Sequence, residues 1–232
     1  MRRLEDHHWW YRATHKAILS ELKELPKNAL ILDVGCGTGK LIEILNKLNF
    51  KTYGVDISNT ALKLASSRKI NTAHFLQGIS ENIPFRNEQF DAITCIDVLY
   101  HKKVKNSGIC LKEIHRLLKK NGFLVLQVPA FEFLRGGHDD AVETANRYTK
   151  AEIKKLIIQA GFKNSVVRYR NCWFFPILFL WRNILSKNNK SDLKVFPKLV
   201  NGLFYMGNSF DDYLSKLIPL PFGTSVFCVA IK

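Results

Sequence analysis

The residues whose types and spacing speak most directly of chemistry lie in one short run, Asp33-Val34-Gly35-Cys36-Gly37-Thr38-Gly39. Glycines so spaced let the backbone turn tightly and let a ligand approach with no Cβ in the way. The helix expected beyond them opens with unpaired N–H groups that suit a carboxylate or phosphate. Asp56 closes the next apolar run, Tyr53-Gly54-Val55-Asp56, where a carboxylate can accept two ribose hydroxyls at once. Loop, preceding acid and following acid together predict a nucleoside-binding crevice. Two cofactor classes compete for it. The dinucleotide fingerprint G-x-G-x-x-G keeps a third glycine inside the helix, whereas here the spacing is G-x-G-x-G and Lys40 follows Gly39. The chain also lacks a Tyr-x-x-x-Lys pair of the kind a hydride-transfer site uses, which counts against a nicotinamide-dependent oxidoreductase.

These residues need elements to hold them. Ala29–Val34 is an apolar run ending in glycines and reads as a buried strand. Leu41, Ile44, Leu45 and Leu48 follow at helical spacing. Tyr53–Asp56, Ala73–Gln77, Phe90–Ile96 and Phe123–Val128 read as further strands, the last introduced by the turn Asn121-Gly122. Between them lie helices over 59–68, with Ser58 as N-cap, and over 109–118. Strands alternating with helices predict an α/β fold, a mostly parallel seven-stranded sheet with helices on both faces. Residues 130–148 read as polar and irregular. A helix over 149–160 starts at Thr149 and ends at Gly161, Val166 and Val167 lie on a strand, and Ser225–Ile231 closes the sheet. The expected organisation is one domain: an N-terminal helical lid over 1–28, a core over 29–129, and a substrate-side insertion, apolar cap helices and closing strands over 130–232.

Composition narrows the classes. The chain has 232 residues, 47% hydrophobic, enough for one globular domain with a sizeable core. Met1-Arg2-Arg3 is followed by Glu5, Asp6, His7 and His8 rather than an apolar run, so no signal peptide is read there. Five widely spaced cysteines without a C-x-x-C pair argue against a disulfide frame or a zinc site, and no metal site is expected. The chain is read as cytoplasmic, with peripheral contact at the inner membrane surface as an alternative. Net charge is +15, with a concentration at Lys102, Lys103, Lys105, Lys112, Arg116, Lys119 and Lys120. That suits anionic partners of several kinds, or simply a solvated basic surface.

With these residues in view, Ile31-Leu32-Asp33-Val34-Gly35-Cys36-Gly37-Thr38-Gly39 resembles the first motif of class I S-adenosylmethionine-dependent methyltransferases. Gly54-Val55-Asp56-Ile57-Ser58 is similar to their second motif, which implies that Asp56 holds the ribose and Ile57 packs on adenine. Asn82-Ile83-Pro84-Phe85 with Gln89-Phe90-Asp91-Ala92-Ile93 resembles the L-P-F…F-D pattern. Asp97-Val98-Leu99-Tyr100-His101 matches the segment after strand four, which implies that Ile96 and Asp97 border the donor's amino-acid end. Leu117–Phe123 looks like the L-K-P-G-G turn, with Asn121 in place of proline. The resemblance covers residues 29–128. It departs after Gly78, where many relatives carry an Asp for the adenine amino group; Ile79 stands here, and Ile79 and Ser80 become the adenine-side candidates.

On the substrate side the resemblance implies more. Glu5-x-x-His8-x-Trp10-Tyr11-Arg12 is similar to the opening of methyltransferases near the generic type 11 group, where it covers the donor pocket; His7, His8, Trp10 and Tyr11 are therefore lid candidates, against a plain amphipathic helix. Gly137-His138-Asp139-Asp140 and Asn146-Arg147-Tyr148-Thr149 resemble an H-D…H-x-R-R-Y-T pattern after strand five. His138, paired with Asp139 or Asp140, is a candidate base for a hydroxyl acceptor, with His101 and Tyr148 as further catalytic candidates and Arg147 as a substrate contact. Cys172–Arg182 is intensely apolar, too short to span a membrane, and interrupted by Pro176. The segment 172–187 reads as a substrate cap, a dimer face, or a membrane contact with Arg182, Lys187 and Lys190 nearby. Pro219–Ser225 resembles the tail of methyltransferases of surface-glycan and lipid-linked pathways. The expected reaction is methyl transfer to a small-molecule, glycan or lipid-linked acceptor. RNA is the alternative acceptor, and a donor-binding protein without activity stays open.

Overall fold

The computed structural model describes residues 2–68, 70, 73–180, 182 and 197–232. Its strands are β1 (Leu30–Val34), β2 (Lys51–Asp56), β3 (Ala73–Gln77), β4 (Phe90–Ile96), β5 (Leu118–Pro129), β6 (Asn164–Arg170) and β7 (Ser225–Ile231). They form one seven-stranded sheet in the order β3-β2-β1-β4-β5-β7-β6, with β7 antiparallel to both neighbours and the other pairs parallel. The helices are α1 (Arg2–His7), α2 (Trp9–Leu22), α3 (Lys40–Lys47), α4 (Asn59–Ser66), α5 (Ser107–Leu117), α6 (Gly137–Ala141), α7 (Lys150–Gln159), α8 (Phe175–Leu180) and α9 (Lys198–Leu217). The strand order reverses between β1 and β4, so a crevice opens above their carboxyl ends, the place where such sheets bind ligands.

Local signals explain most boundaries. Ser58 Oγ accepts the Ala61 N–H at the start of α4, Asn106 caps α5, and Thr149 and Glu152 close a reciprocal capping box on α7. Alternating side chains of the buried strands feed two layers. Leu32, Val34, Ile93, Leu124 and Leu126 pack with α5 and α7 on one face, whereas Ile31, Ala92, Val125 and Phe227 pack with α2 and α3 on the other.

Three differences from the expected elements have physical causes. β5 begins at Leu118 rather than after the Asn121-Gly122 turn, because the extra residues bulge within the strand: Asn121 takes φ +64 and the pairing with β4 shifts between Phe90 and Ala92. Residues 130–148 hold a 3-10 turn at Glu132–Leu134 and α6 rather than continuous loop. The N-terminal segment, expected as a lid, also builds the core. Ala17, Ile18 and Leu22 of α2 are buried on the sheet, so the second half of that helix is a layer of the core.

Candidate functional site

Two cavities meet in the crevice. The larger, about 650 Å³, is lined by Asp33, Gly35, Cys36, Gly37, Ile96 and Asp97 from the sheet side, and by His8, Trp10, Tyr11 and His15 from α1–α2. The smaller, about 240 Å³, is lined by Asp56, Ile57, Ile79, Ser80, His101 and Lys103. Gly35, Ser58 and Asp97 border both, so the cavities are neighbouring parts of one cleft.

The glycine loop is shaped for a ligand. Gly35, Gly37 and Gly39 all have positive φ, at +73, +52 and +76. A Cβ on Gly35 would lie 2.2 Å from Val98 Cγ2, and one on Gly39 2.9 Å from Ala65 Cβ, so those two glycines serve packing. A Cβ on Gly37 would meet nothing within 4 Å; its open side is the cavity. The Gly37 N–H donates to Asp56 Oδ2 at 2.8 Å and the Ser58 N–H donates to Asp56 Oδ1 at 2.8 Å. Those bonds aim the carboxylate while leaving lone pairs for hydroxyl donors.

Two further carboxylates border the larger cavity. Asp33 accepts a 2.7 Å hydrogen bond from Thr94 Oγ1. Burial pushes its carboxyl up to about 7, helped by Asp56 and Glu5 and opposed by the Thr94 bond. Asp97, at φ +53, is likewise pushed up to about 7 by burial, against the Gln127 amide and the Arg170 and Arg147 charges. Buried acids of this kind gain most when a cation arrives. A sulfonium or ammonium group fits them, as the open side of Gly37 and the aimed Asp56 fit a nucleoside, so the donor set is of the right chemistry for S-adenosylmethionine.

α1 and α2 are fastened over this cleft by charge. The Glu5 carboxylate accepts the Thr38 hydroxyl and lies 3.3 Å from Arg68 Nη2. Asp6 sits 2.7 Å from Lys40 Nζ and 3.5 Å from Arg68 Nη1. Arg68 also donates to Thr38 O at 2.6 Å and to Glu43 at 2.8 Å. The opposite wall is apolar, with Phe174 and Leu178 from the segment before and within α8, and Phe174 packs edge-on against Trp9 and near Phe204. Of the apolar segment 172–187, residues 181 and 183–187 lie outside the described residues, as does Lys190.

The expected catalytic candidates separate. His138 lines the larger cavity. Asp139, expected as its partner, gives its two oxygens to Arg147 at 2.9 and 3.2 Å, to Arg182 and to the Gly136 N–H. Arg147 borders the cavity but also ties Ala130 O at 2.7 Å, so it braces the insertion. Tyr148 lies outside both cavities: its phenol bonds Leu99 O at 3.1 Å and Ser107 Oγ at 2.8 Å, inside the packing of α5. His101 borders the smaller cavity, accepting from the Lys103 N–H and lying 3.5 Å from Glu143. His7 is exposed and lines neither cavity, because α1 ends there and turns its chain outward.

Residues not singled out in the sequence also enter. His15 stands in the cavity wall, its imidazole pushed down to about 4 by burial and then by Lys40 and Arg68. Tyr11 and His15 lie four positions apart, one turn of α2, so helical spacing from Tyr11 was the available signal. Tyr100, beside Asp97, and Thr224 and Ser225, at the start of β7, join the wall from distant parts of the chain. Among the described residues no group of His, Cys, Asp or Glu could hold a metal ion. No helix there is long and apolar enough to cross a membrane.

Comparison with known proteins agrees with this geometry. Residues 32–126 match the family described as a methyltransferase domain, type 11. The chain is 34% identical over 157 residues to a tRNA (carboxymethyluridine(34)-5-O)-methyltransferase of Arabidopsis thaliana, covering 67% of this chain and 37% of that protein. It is 30% identical over 141 residues to a probable tRNA methyltransferase 9B of Bos taurus, covering 60% of this chain and 30% of that one. The chain thus spans about a third of the length of these curated relatives. In fold it resembles a Haloferax volcanii methyltransferase solved with the Trm112 activator, with a TM-score of 0.67, 16% identity, and coverage of 99% of this chain and 91% of that one. Residues 32–126 thus match the methyltransferase-domain family, and the sheet that holds them has the α/β fold of class I S-adenosylmethionine-dependent methyltransferases.

Proposed function

We propose that the chain transfers the methyl group of S-adenosylmethionine to a nucleotide of an RNA. The observation that carries the acceptor is the basic rim of the cleft. Lys103 lines the smaller cavity, and Lys102 and Lys105 stand exposed next to it along the chain, all three with no ion pair among the described residues, on a chain of net charge +15. Such a rim holds phosphates without reading sequence. The tRNA methyltransferases among the relatives, aligned over 48–67% of this chain, support the same acceptor class.

Bound in the cleft, S-adenosylmethionine supplies a methyl carbon made electrophilic by its sulfonium. Asp56, aimed by Gly37 and Ser58, holds the ribose hydroxyls. Ile57 and Ile79, each nearly half exposed along the smaller cavity, give the adenine flat apolar contacts. Asp33 and Asp97 place negative charge beside the donor's cationic end. The latched α1–α2 segment excludes water and holds the acceptor in line, which is where most of the acceleration of a displacement arises. A base flipped out of a stack enters a pocket of this kind between aromatic walls, here Trp10 and Tyr11. His138, which lines the larger cavity, is the imidazole assigned to take a proton from a hydroxyl acceptor. His15, held near 4, is a weak base.

A second reading rests on the apolar cap of Trp9, Phe174 and Leu178 over the larger cavity. Those residues suit a small apolar or lipid-linked acceptor. Labelled donor incubated with total tRNA and, separately, with an organic-extractable membrane fraction distinguishes the two. Label in RNA, with retention that falls steeply as salt rises, supports the first reading; label only in the organic phase replaces it with the second.

A further inference from the structure

α9 is built inside out. Beyond Phe204, which packs on Trp9 and Phe174, its inward face is polar: Asn208, Asp211 and Ser215 are buried, and Asp211 accepts the N–H groups of Asn171, Cys172 and Trp173 at 2.6, 2.8 and 3.3 Å. Asp212 pairs with the fully buried Arg170, which also reaches Gln127 at 2.5 Å. Its outward face is apolar: Leu199, Leu203, Met206, Phe210, Tyr213 and Leu217 are 59–77% exposed. Polar bonding inward fixes which face the helix turns out, so the exposure is imposed by the fold.

The outward residues recur at spacings of four, three, four, three and four. That is the narrow seam by which one helix takes another. Apart from Lys216 near its end, the stripe's neighbours leave no other exposed side chain on the helix between Leu199 and Leu217. The stripe itself carries no charge, which separates it from the basic rim of the cleft. A surface of this kind offers several hundred Å² of apolar area. That is the size of the largest patch on a typical monomer, roughly 300–600 Å², and of the order of the roughly 800 Å² each partner gives an interface of standard size.

We infer that α9 is the self-association surface of this protein, covered by α9 of a second copy in a two-fold pair. An isologous contact needs one self-complementary patch, and an uninterrupted apolar heptad stripe is such a patch. Twenty residues supply it in full, with no partner of other chemistry called for. Pairing would also steady the cleft. Asn201 of α9 accepts the Trp9 N–H at 2.8 Å and donates to His7 O at 2.6 Å, and the Arg12 guanidinium lies 4.5 Å over the Tyr205 ring. The helix that forms the seam therefore also holds the start of the segment that closes the donor site.

Sedimentation of the purified chain at micromolar concentrations tests this. The expected result is a species of twice the 26.7 kDa chain mass, which tightens as salt screens the net charge. Leu203→Lys with Phe210→Lys is expected to sediment as the monomer, still binding S-adenosylhomocysteine as the wild type does. Leu203→Gln with Phe210→Gln provides the same readout without added charge. A wild-type chain that stays monomeric overturns the inference, whether it is free or pellets with anionic phospholipid vesicles. So does a dimer that both pairs of substitutions leave intact. The inference stands apart from the acceptor, since neither sedimentation nor product binding depends on which molecule is methylated.

Discussion

Gly37→Ala separates a glycine kept for the ligand from one kept for the fold. At φ +52 an L side chain sits in the left-handed region, at a cost of about 1–2 kcal/mol. The new Cβ meets no protein atom within 4 Å, so no steric cost adds to it. For a chain of 232 residues the melting temperature should fall by about 2–8 °C, and the protein should remain folded. The methyl group, however, fills space we assign to the donor and crowds the N–H that aims Asp56. Overpacking of that kind costs about 1–3 kcal/mol, a weakening of roughly 5- to 150-fold in donor affinity. Differential scanning fluorimetry gives the first number, and calorimetric titration with S-adenosylhomocysteine the second. Gly35→Ala is the contrast: its Cβ would lie 2.2 Å from Val98 Cγ2, so it should lose far more stability. If Gly37→Ala bound the product within twofold of wild type, the open side of Gly37 would not be the ligand's, and the site assignment would fail.

The remaining predictions concern charge and the candidates that separated. Asp33 and Asp97 are raised to about 7, and a cation favours their ionised forms, so binding of the sulfonium donor should release protons near neutrality. Affinity should rise between about pH 6 and 8, read by titration in buffers of differing ionisation enthalpy; proton uptake would contradict it. The sign is opposite for the empty fold, whose contribution from these acids is present at low pH and lost as pH rises through about 7. Arg68→Met leaves Glu5 without a cation and leaves Asp6 and Glu43 with Lys40 alone in common, and the Arg68 side chain is only 4% exposed. It should cost about 3–5 kcal/mol and open the N-terminal segment to protease, with an unchanged melting temperature as the refuting result. Tyr148→Phe removes bonds to Leu99 O and Ser107 and should cost about 1 kcal/mol of stability while methyl transfer stays within about twofold. A fall in kcat of about 100-fold would return that phenol to the reacting centre.

What the sequence by itself determined is the part written in contiguous residues. The turn from β1 into α3 needs positive φ at three glycines, and the strand–helix alternation sets a parallel sheet, so the cleft was legible in Asp33–Gly39 and Asp56, and the donor class in the family resemblance those residues carry. Local spacing also marked Ser58 and Thr149 as caps. Burial is another matter, because which face of an element turns inward depends on neighbours far along the chain. The latch joins Glu5 to Thr38 and Arg68, partners 33 and 63 positions apart. Tyr148 and His138 stood ten residues apart in one motif, yet packing sent the phenol behind α5 and left the imidazole at the cavity. α9 shows the limit most clearly: its apolar periodicity would ordinarily mark a core-facing stripe, but Arg170, Asn171 and Cys172 claim the polar side, and the greasy side is left outward. Periodicity names a face; only the assembled neighbours decide what that face meets.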